Sequence, residues 1–209
     1  MQALAPVVVQ ARGLQPGDYR AVIRQLKRET IPDDRLVAHY TDINRQLEAI
    51  IRRERIVTLP ERPMGMRLAS PAESAAQPAP HMAPPPLVGN TGQRGTFVLP
   101  VSVPGAGPDR AYDDFNFPAA TWSLSAHEGR PGHELQFAAM VERGVSLARA
   151  LYAFNSVNAE GWALYAEAES LPHEPVDGQL LALQMRLVRA ARAMLDPMLN
   201  LGLIGVDEA

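Results

Sequence analysis

Two of the chain's five histidines stand in Ala126-His127-Glu128-Gly129-Arg130-Pro131-Gly132-His133-Glu134. A histidine followed at once by a glutamate, with a second histidine shortly after, is the arrangement by which zinc peptidases hold their metal. In those enzymes a helix turns two imidazoles toward one cation. The adjacent glutamate then takes a proton from the water that the cation acidifies, as that water attacks a carbonyl. The ordinary spacing is four residues, about one helical turn, whereas His127 and His133 are six apart. Six residues rotate through roughly 600°, which leaves the rings about 120° apart on a straight helix. Pro131-Gly132 removes the obstacle. Proline interrupts the helical ladder and glycine accepts almost any backbone angle, so the chain can bulge by two residues before helix resumes at His133. His127 and His133 are therefore expected as metal ligands and Glu128 as the general base.

A third ligand should come from a separate element. Glu160, in Asn158-Ala159-Glu160-Gly161-Trp162, lies 27 residues beyond His133, room for one helix, a turn and the start of the next. Two histidines and one glutamate leave a fourth position for water, and the absence of cysteine excludes thiolate ligands and disulfides alike. Glu167, seven residues on, shares the helix face of Glu160 and is a candidate for orienting a ligand histidine. Asp196 is a further candidate for such support. Tyr165 is a candidate donor to a developing oxyanion, weighed against plain packing beside Trp162 and Leu164. Arg189 and Arg192 are candidates for binding a substrate carboxylate, weighed against an ordinary basic outer face. His39, His81 and His173 have no carboxylate at ligand spacing and read as ordinary residues. The pairs Asp33-Asp34 and Asp113-Asp114 read as caps or loop residues.

The elements that must position these groups are mostly helices. Residues 1–56 read as helical: Tyr19, Val22, Ile23 and Leu26 recur at helical spacing, then Leu36, Tyr40, Ile43, Leu47 and Ile50 after a start signal at Pro32-Asp33-Asp34. Residues 57–116 change character, and 11 of the 19 prolines fall between Pro60 and Pro108. That segment is expected to be irregular, with one strand candidate over 95–103, confined to a sheet edge by Pro100, where an extended peptide could add to it. Residues 117–209 return to helix. One helix starts at Pro118 with Trp122 and Ala126 inward, and a second carries His133, Leu135, Phe137 and Met140. A third runs from near Ser146 through Glu160 to Glu167. A fourth spans about 179–196, with Leu180, Leu183, Leu187, Ala191 and Met194 inside and Pro197 at its end or a kink.

With 209 residues, 46% of them hydrophobic, the chain can bury one sizeable core, and a single domain over 1–209 is expected. A net charge of −3 offers no broad attraction for nucleic acid or anionic membranes, and no apolar run is long enough to span a bilayer. Without an export signal, the cytoplasm is the default compartment.

Taken together, His127-Glu128-x-x-Pro131-Gly132-His133-x-Leu135-Gln136 and Glu160-Gly161-Trp162-Ala163-Leu164-Tyr165-Ala166-Glu167 resemble the paired signature of the bacterial domain-of-unknown-function 885 family, which is placed among the zinc-peptidase-like gluzincins. Ile56-Val57-x-Leu59-Pro60, Gly95-Thr96-Phe97 and Arg186-Leu187-x-Arg189-Ala190-Ala191-Arg192 extend the likeness more loosely. The resemblance implies a gluzincin-like helical metallohydrolase core that binds zinc and cleaves peptide or small amide substrates. It also implies exported relatives and a longer polypeptide, so that this chain reads as a fragment or shortened form whose cleft a partner chain or missing domain completes. One departure bears on turnover. Where the family tends to read Asp-Thr-Gly-Leu-His, this chain reads Asp196-Pro197-Met198-Leu199-Asn200, and a relative that has lost activity and serves as a helical binding or scaffold module is the alternative reading.

Overall fold

The computed structural model describes residues 1–101 and 115–208. Helices dominate, with one three-stranded sheet. The first part holds three helices, α1 (Ala5–Arg12), α2 (Tyr19–Leu26) and α3 (Asp33–Glu54), one more than the apolar periodicity indicates. α2 begins on Asp18, whose side chain accepts from the Ala21 amide, and buries Val22, Ile23 and Leu26. α3 buries the expected stripe of Leu36, Tyr40, Ile43, Leu47 and Ile50, and with it the polar Asn44. Arg12, at the end of α1, pairs with Glu29 and Asp177.

The proline-rich segment is more ordered than its composition indicates. It contains β1 (Gly65–Leu68), α4 (Pro71–Ala76), β2 (His81–Ala83) and β3 (Thr96–Leu99), in sheet order β1-β3-β2. β1 runs parallel to β3 and β2 antiparallel to it. The strand expected at the edge is thus the central one. It ends at Leu99, so Pro100 falls beyond the ladder and costs it no donor. Phe97, Val98 and Leu99 are all buried, because a central strand is covered on both faces, and Phe97 packs edge-on against Tyr40 of α3 with ring centroids 5.3 Å apart. The true edge next to the site is β2, whose three residues carry no period-2 signal.

The remaining helices are α5 (Pro118–Glu128), α6 (His133–Arg143), α7 (Leu147–Tyr152), α8 (Ser156–Ser170) and α9 (Val176–Asn200). α5 is buried continuously from Ala119 to His127 and packs against α3, α8 and α9, so it is the central helix. The single helix expected from near Ser146 is two. α7 stops at Ala153, and α8 restarts on Asn155, whose side chain accepts from the Val157 and Asn158 amides. α9 extends through Pro197 to Asn200. Its inward stripe also departs from expectation. Leu180 is buried, but Leu187, Ala191 and Met194 lie exposed. Among the described residues no helix is long and apolar enough to cross a membrane.

Candidate metal centre

His127 closes the last turn of α5 and His133 opens α6, with residues 129–132 crossing between them. The Pro-Gly insertion works by breaking one helix into two. Gly132 is obligatory by close approach, since a Cβ there would lie 1.8 Å from the His127 carbonyl oxygen. Gly129 is equally confined, its Cβ position being 2.1 Å from Asn44 Oδ1 on α3. Arg130 anchors the crossing. Buried, it donates from Nε to Glu134 Oε2 at 2.6 Å and pairs with Glu48 Oε1 at 2.9 Å, with a further bond to the Arg62 carbonyl. Trp162 of α8 clips the crossing from the other side, its Nε1 donating to the Pro131 and Gly132 carbonyls at 3.1 Å each.

This crossing brings the two imidazoles to a centroid separation of 4.8 Å at an interplanar angle of 88°. α8 supplies Glu160, whose carboxylate lies 3.3 Å from His127 Nε2 and 3.6 Å from His133 Nε2. One donor atom from each of His127, His133 and Glu160 can be chosen so that all three lie within 4.8 Å of one another. Ligands about 2.0–2.1 Å from a tetrahedral ion are roughly 3.4 Å apart, so the three donors stand near the spacing that one such ion needs. The donor set, two imidazole nitrogens and a carboxylate, matches zinc chemistry. Glu160 remains 60% exposed in its side chain, so the cluster is open on the α8 side.

Behind the cluster the orientation of His127 is set by Glu167. Its Oε1 lies 2.6 Å from His127 Nδ1, which leaves Nε2 facing the cluster. Arg189 of α9 in turn donates to both Glu167 oxygens, at 2.7 and 2.9 Å. Arg189 is thus engaged with Glu167, where the sequence made it a candidate for substrate. His133 lacks the equivalent support, since its buried Nδ1 has no hydrogen-bond partner among the described residues.

Glu128 stands beside the cluster, its Oε1 3.9 Å from His127 Nε2. Its Oε2 accepts from the Met82 amide at 2.8 Å, so the edge strand β2 holds it. Burial, with the charges of Glu160 and Glu167 adding to it, raises its pKa to about 7 against the pull of His127 and the Met82 amide. Burial pushes Glu167 up as well, but the hydrogen bonds from His127 and Arg189 outweigh it and hold that carboxyl below its ordinary range. For His127, burial lowers the pKa, while Glu167 and Glu128 raise it further, and the net direction is up. His133 is lowered by burial and by the neighbouring His127.

The other candidates lie elsewhere. Tyr165, five residues past Glu160, is about 140° round α8 from it. Its ring packs near Trp162 at 6.0 Å, and the two line a cavity of about 220 Å³ with Ile56, Val57 and Pro131. Asp196 accepts from Asn200 one turn on, and Arg192 is exposed on α9. The other histidines have ordinary surroundings. His39 bonds Thr121 at 3.0 Å, His81 lies 3.1 Å from the Ala79 carbonyl, and His173 is 3.8 Å from Glu54. The sequence reading missed Arg130, Asn44 and the Met82 amide. Only Arg130 carried a signal, its four-residue spacing to Glu134.

Residues 1–209 match the family described as "Bacterial protein of unknown function (DUF885)". The chain belongs to this DUF885 family. The fold is shared with the crystal structure of a putative lipoprotein from Colwellia psychrerythraea, at a TM-score of 0.70 and 20% identity over 94% of this chain. It is shared too with a putative lipoprotein of unknown function from Shewanella oneidensis, at a TM-score of 0.64 and 20% identity over 88% of the chain. The chain spans about a third of either structure, 34% in both cases. Among curated proteins none matches.

Proposed function

We propose that this DUF885 chain carries a mononuclear zinc-hydrolase site of gluzincin type, acting on peptide or related amide bonds. The observation that carries the reading is the convergence of His127 Nε2, His133 Nε2 and the Glu160 carboxylate on one point, with Glu128 beside it. Zinc held there would acidify water and polarise a carbonyl. Glu128 is the proton acceptor. Its Oε2 is fixed by Met82 and its Oε1 is turned to the cluster, where it would take a proton from the attacking water and return it to the leaving amine. Glu167 keeps His127 in the tautomer that presents Nε2, and Arg189 keeps Glu167 ionised and aligned.

Metal content after zinc-replete purification tests the reading, with about one zinc per chain expected and its absence overturning it. Glu128→Gln should retain zinc and lose peptide or amide hydrolysis, whereas retained turnover would remove Glu128 as the base. A second reading, a relative that holds metal without turnover and serves as a binding module, is favoured by the open flank at Glu160. Zinc at full stoichiometry with no hydrolysis across a peptide library would select it.

A further inference from the structure

Tyr165 has no part in the metal cluster, because it stands about 140° round α8 from Glu160. It shares its own face of α8 with Trp162, Ala166 and Glu169, which follow at helical positions i, i+3, i+4 and i+7. These side chains line a cavity of about 220 Å³, bounded on its other side by the chain that follows α3, at Ile56 and Val57, and by Pro131 of the crossing. The lining divides by chemistry. Its walls are apolar or aromatic, and Glu169 is the one charged residue among the described residues that line it. The Glu169 side chain is exposed and has no hydrogen bond or ion pair among the described residues.

The two rings stand 6.0 Å apart at an interplanar angle of 49°, so they form an open wedge in place of a closed stack. The Trp162 ring does not swing in to fill the space, because its Nε1 is held by the Pro131 and Gly132 carbonyls at 3.1 Å each. That wall is therefore fixed before anything binds, which spares a ligand the cost of ordering it. An exposed carboxylate on a helix is by itself only a solvated group. Beside an aromatic wedge it completes a cation site: the ring faces attract positive charge through their quadrupole, and the carboxylate pairs with it directly.

We propose that this cavity binds a small organic cation, an ammonium or guanidinium on a short apolar body. The charge lies between the Trp162 and Tyr165 rings and the Glu169 carboxylate, and the body lies against Ile56 and Val57. The ligand is cationic because Glu169 is the only charge that the lining offers, and it carries apolar surface because the rest of the lining is apolar or aromatic. It is small because the cavity falls below the roughly 300–1,000 Å³ of sites for drug-sized ligands. No metal takes part, so the inference stands apart from the zinc reading and holds whether or not the chain binds zinc.

Calorimetric titration of the 209-residue chain with phenethylammonium tests the proposal, with phenethyl alcohol as the uncharged ligand of the same shape. The ammonium should bind saturably at one site with a millimolar or tighter Kd. The alcohol should bind at least about fivefold more weakly, since it forgoes both the ring attraction and the ion pair. Glu169→Gln should largely remove that preference, and Tyr165→Ala should weaken the ammonium in the parent by a similar factor. Both substitutions fall at exposed side chains, so neither removes a buried contact of the core. The chain has two tryptophans, and their indole N–H resonances locate the site. The Trp162 signal should move with the ammonium while that of Trp122 stays. Absence of saturable binding up to about 10 mM would overturn the proposal. So would equal affinity of the parent chain for ammonium and alcohol, an undiminished preference in Glu169→Gln, or a response confined to Trp122.

Discussion

Arg189 grips Glu167 at two points, donating to Oε1 at 2.7 Å and to Oε2 at 2.9 Å, while the same Oε1 lies 2.6 Å from His127 Nδ1. Three groups from α5, α8 and α9 are thereby fixed relative to one another, and the ring orientation of His127 depends on all of them. Arg189→Ala should leave Glu167 with one partner fewer and loosen the imidazole, lowering zinc affinity by about 10- to 100-fold. Arg189→Lys keeps the charge but not the planar fork, and should recover only part of the loss. Competition against a chelator of known affinity measures both. Unchanged zinc affinity in Arg189→Ala would show that Glu167 holds His127 unaided.

Two glycines near the site should respond to alanine with opposite signs. At Gly132 the new Cβ would lie 1.8 Å from the His127 carbonyl oxygen and 2.4 Å from that of Ala126, and backbone atoms cannot swing aside as side chains do. Gly132→Ala should cost about 3 kcal/mol or more, or else displace His133 and forfeit the metal. At Gly161, in the middle of α8, a Cβ would meet nothing within 4 Å. Gly161→Ala should stabilise by about 0.5–1 kcal/mol through helix propensity. Denaturant melts of the two variants check the pair, and a Gly132→Ala protein that melts like its parent and keeps zinc would refute the close-approach account.

The contrast between what was and was not legible follows from where the determinants lie along the chain. The stripe of α3 and the buried face of α2 follow from local periodicity and appear as expected, whereas α5 buries Trp122 and Ala126 as expected but is buried all round. The grouping of His127 with His133 was legible because His127, Pro131, Gly132 and His133 are neighbours in sequence and their oddity of spacing is itself informative. Of the sheet only β3 was legible, as the strand candidate over 95–103; β1 and β2 are four and three residues long, too short for alternation to register, and β3 is central only through these partners some 15 to 30 residues upstream in sequence. Met82 was invisible for another reason: it acts through its amide, which every residue but proline possesses. The stripe at Leu187, Ala191 and Met194 was read as inward, and the structure leaves all three exposed. Periodicity marks one face of a helix as apolar and says nothing of what covers it.

Glu174 offers a test of stability against pH. It lies at the start of α9 beside Trp122 and Gly178, with neither carboxylate oxygen hydrogen-bonded among the described residues. Burial, helped by the charge of Glu167 and opposed by Arg186, pushes its pKa from an ordinary 4.5 to about 8. Between those two values the folded chain keeps a proton that the unfolded chain releases, so the unfolded state binds fewer protons and stability falls as pH rises. The slope is at most about 1.4 kcal/mol per pH unit from this group. Below pH 4.5 the two states bind the proton alike, and above about 8 the loss is complete. Glu174→Gln is neutral throughout and should be more stable than its parent at pH 8, with the advantage shrinking steadily toward pH 5. Denaturant unfolding of parent and variant at pH 5, 6.5 and 8 isolates the effect, because every other titrating group is common to both. A constant difference across the three values would mean that Glu174 is ionised in the folded chain at pH 5 already, its charge compensated by Arg186.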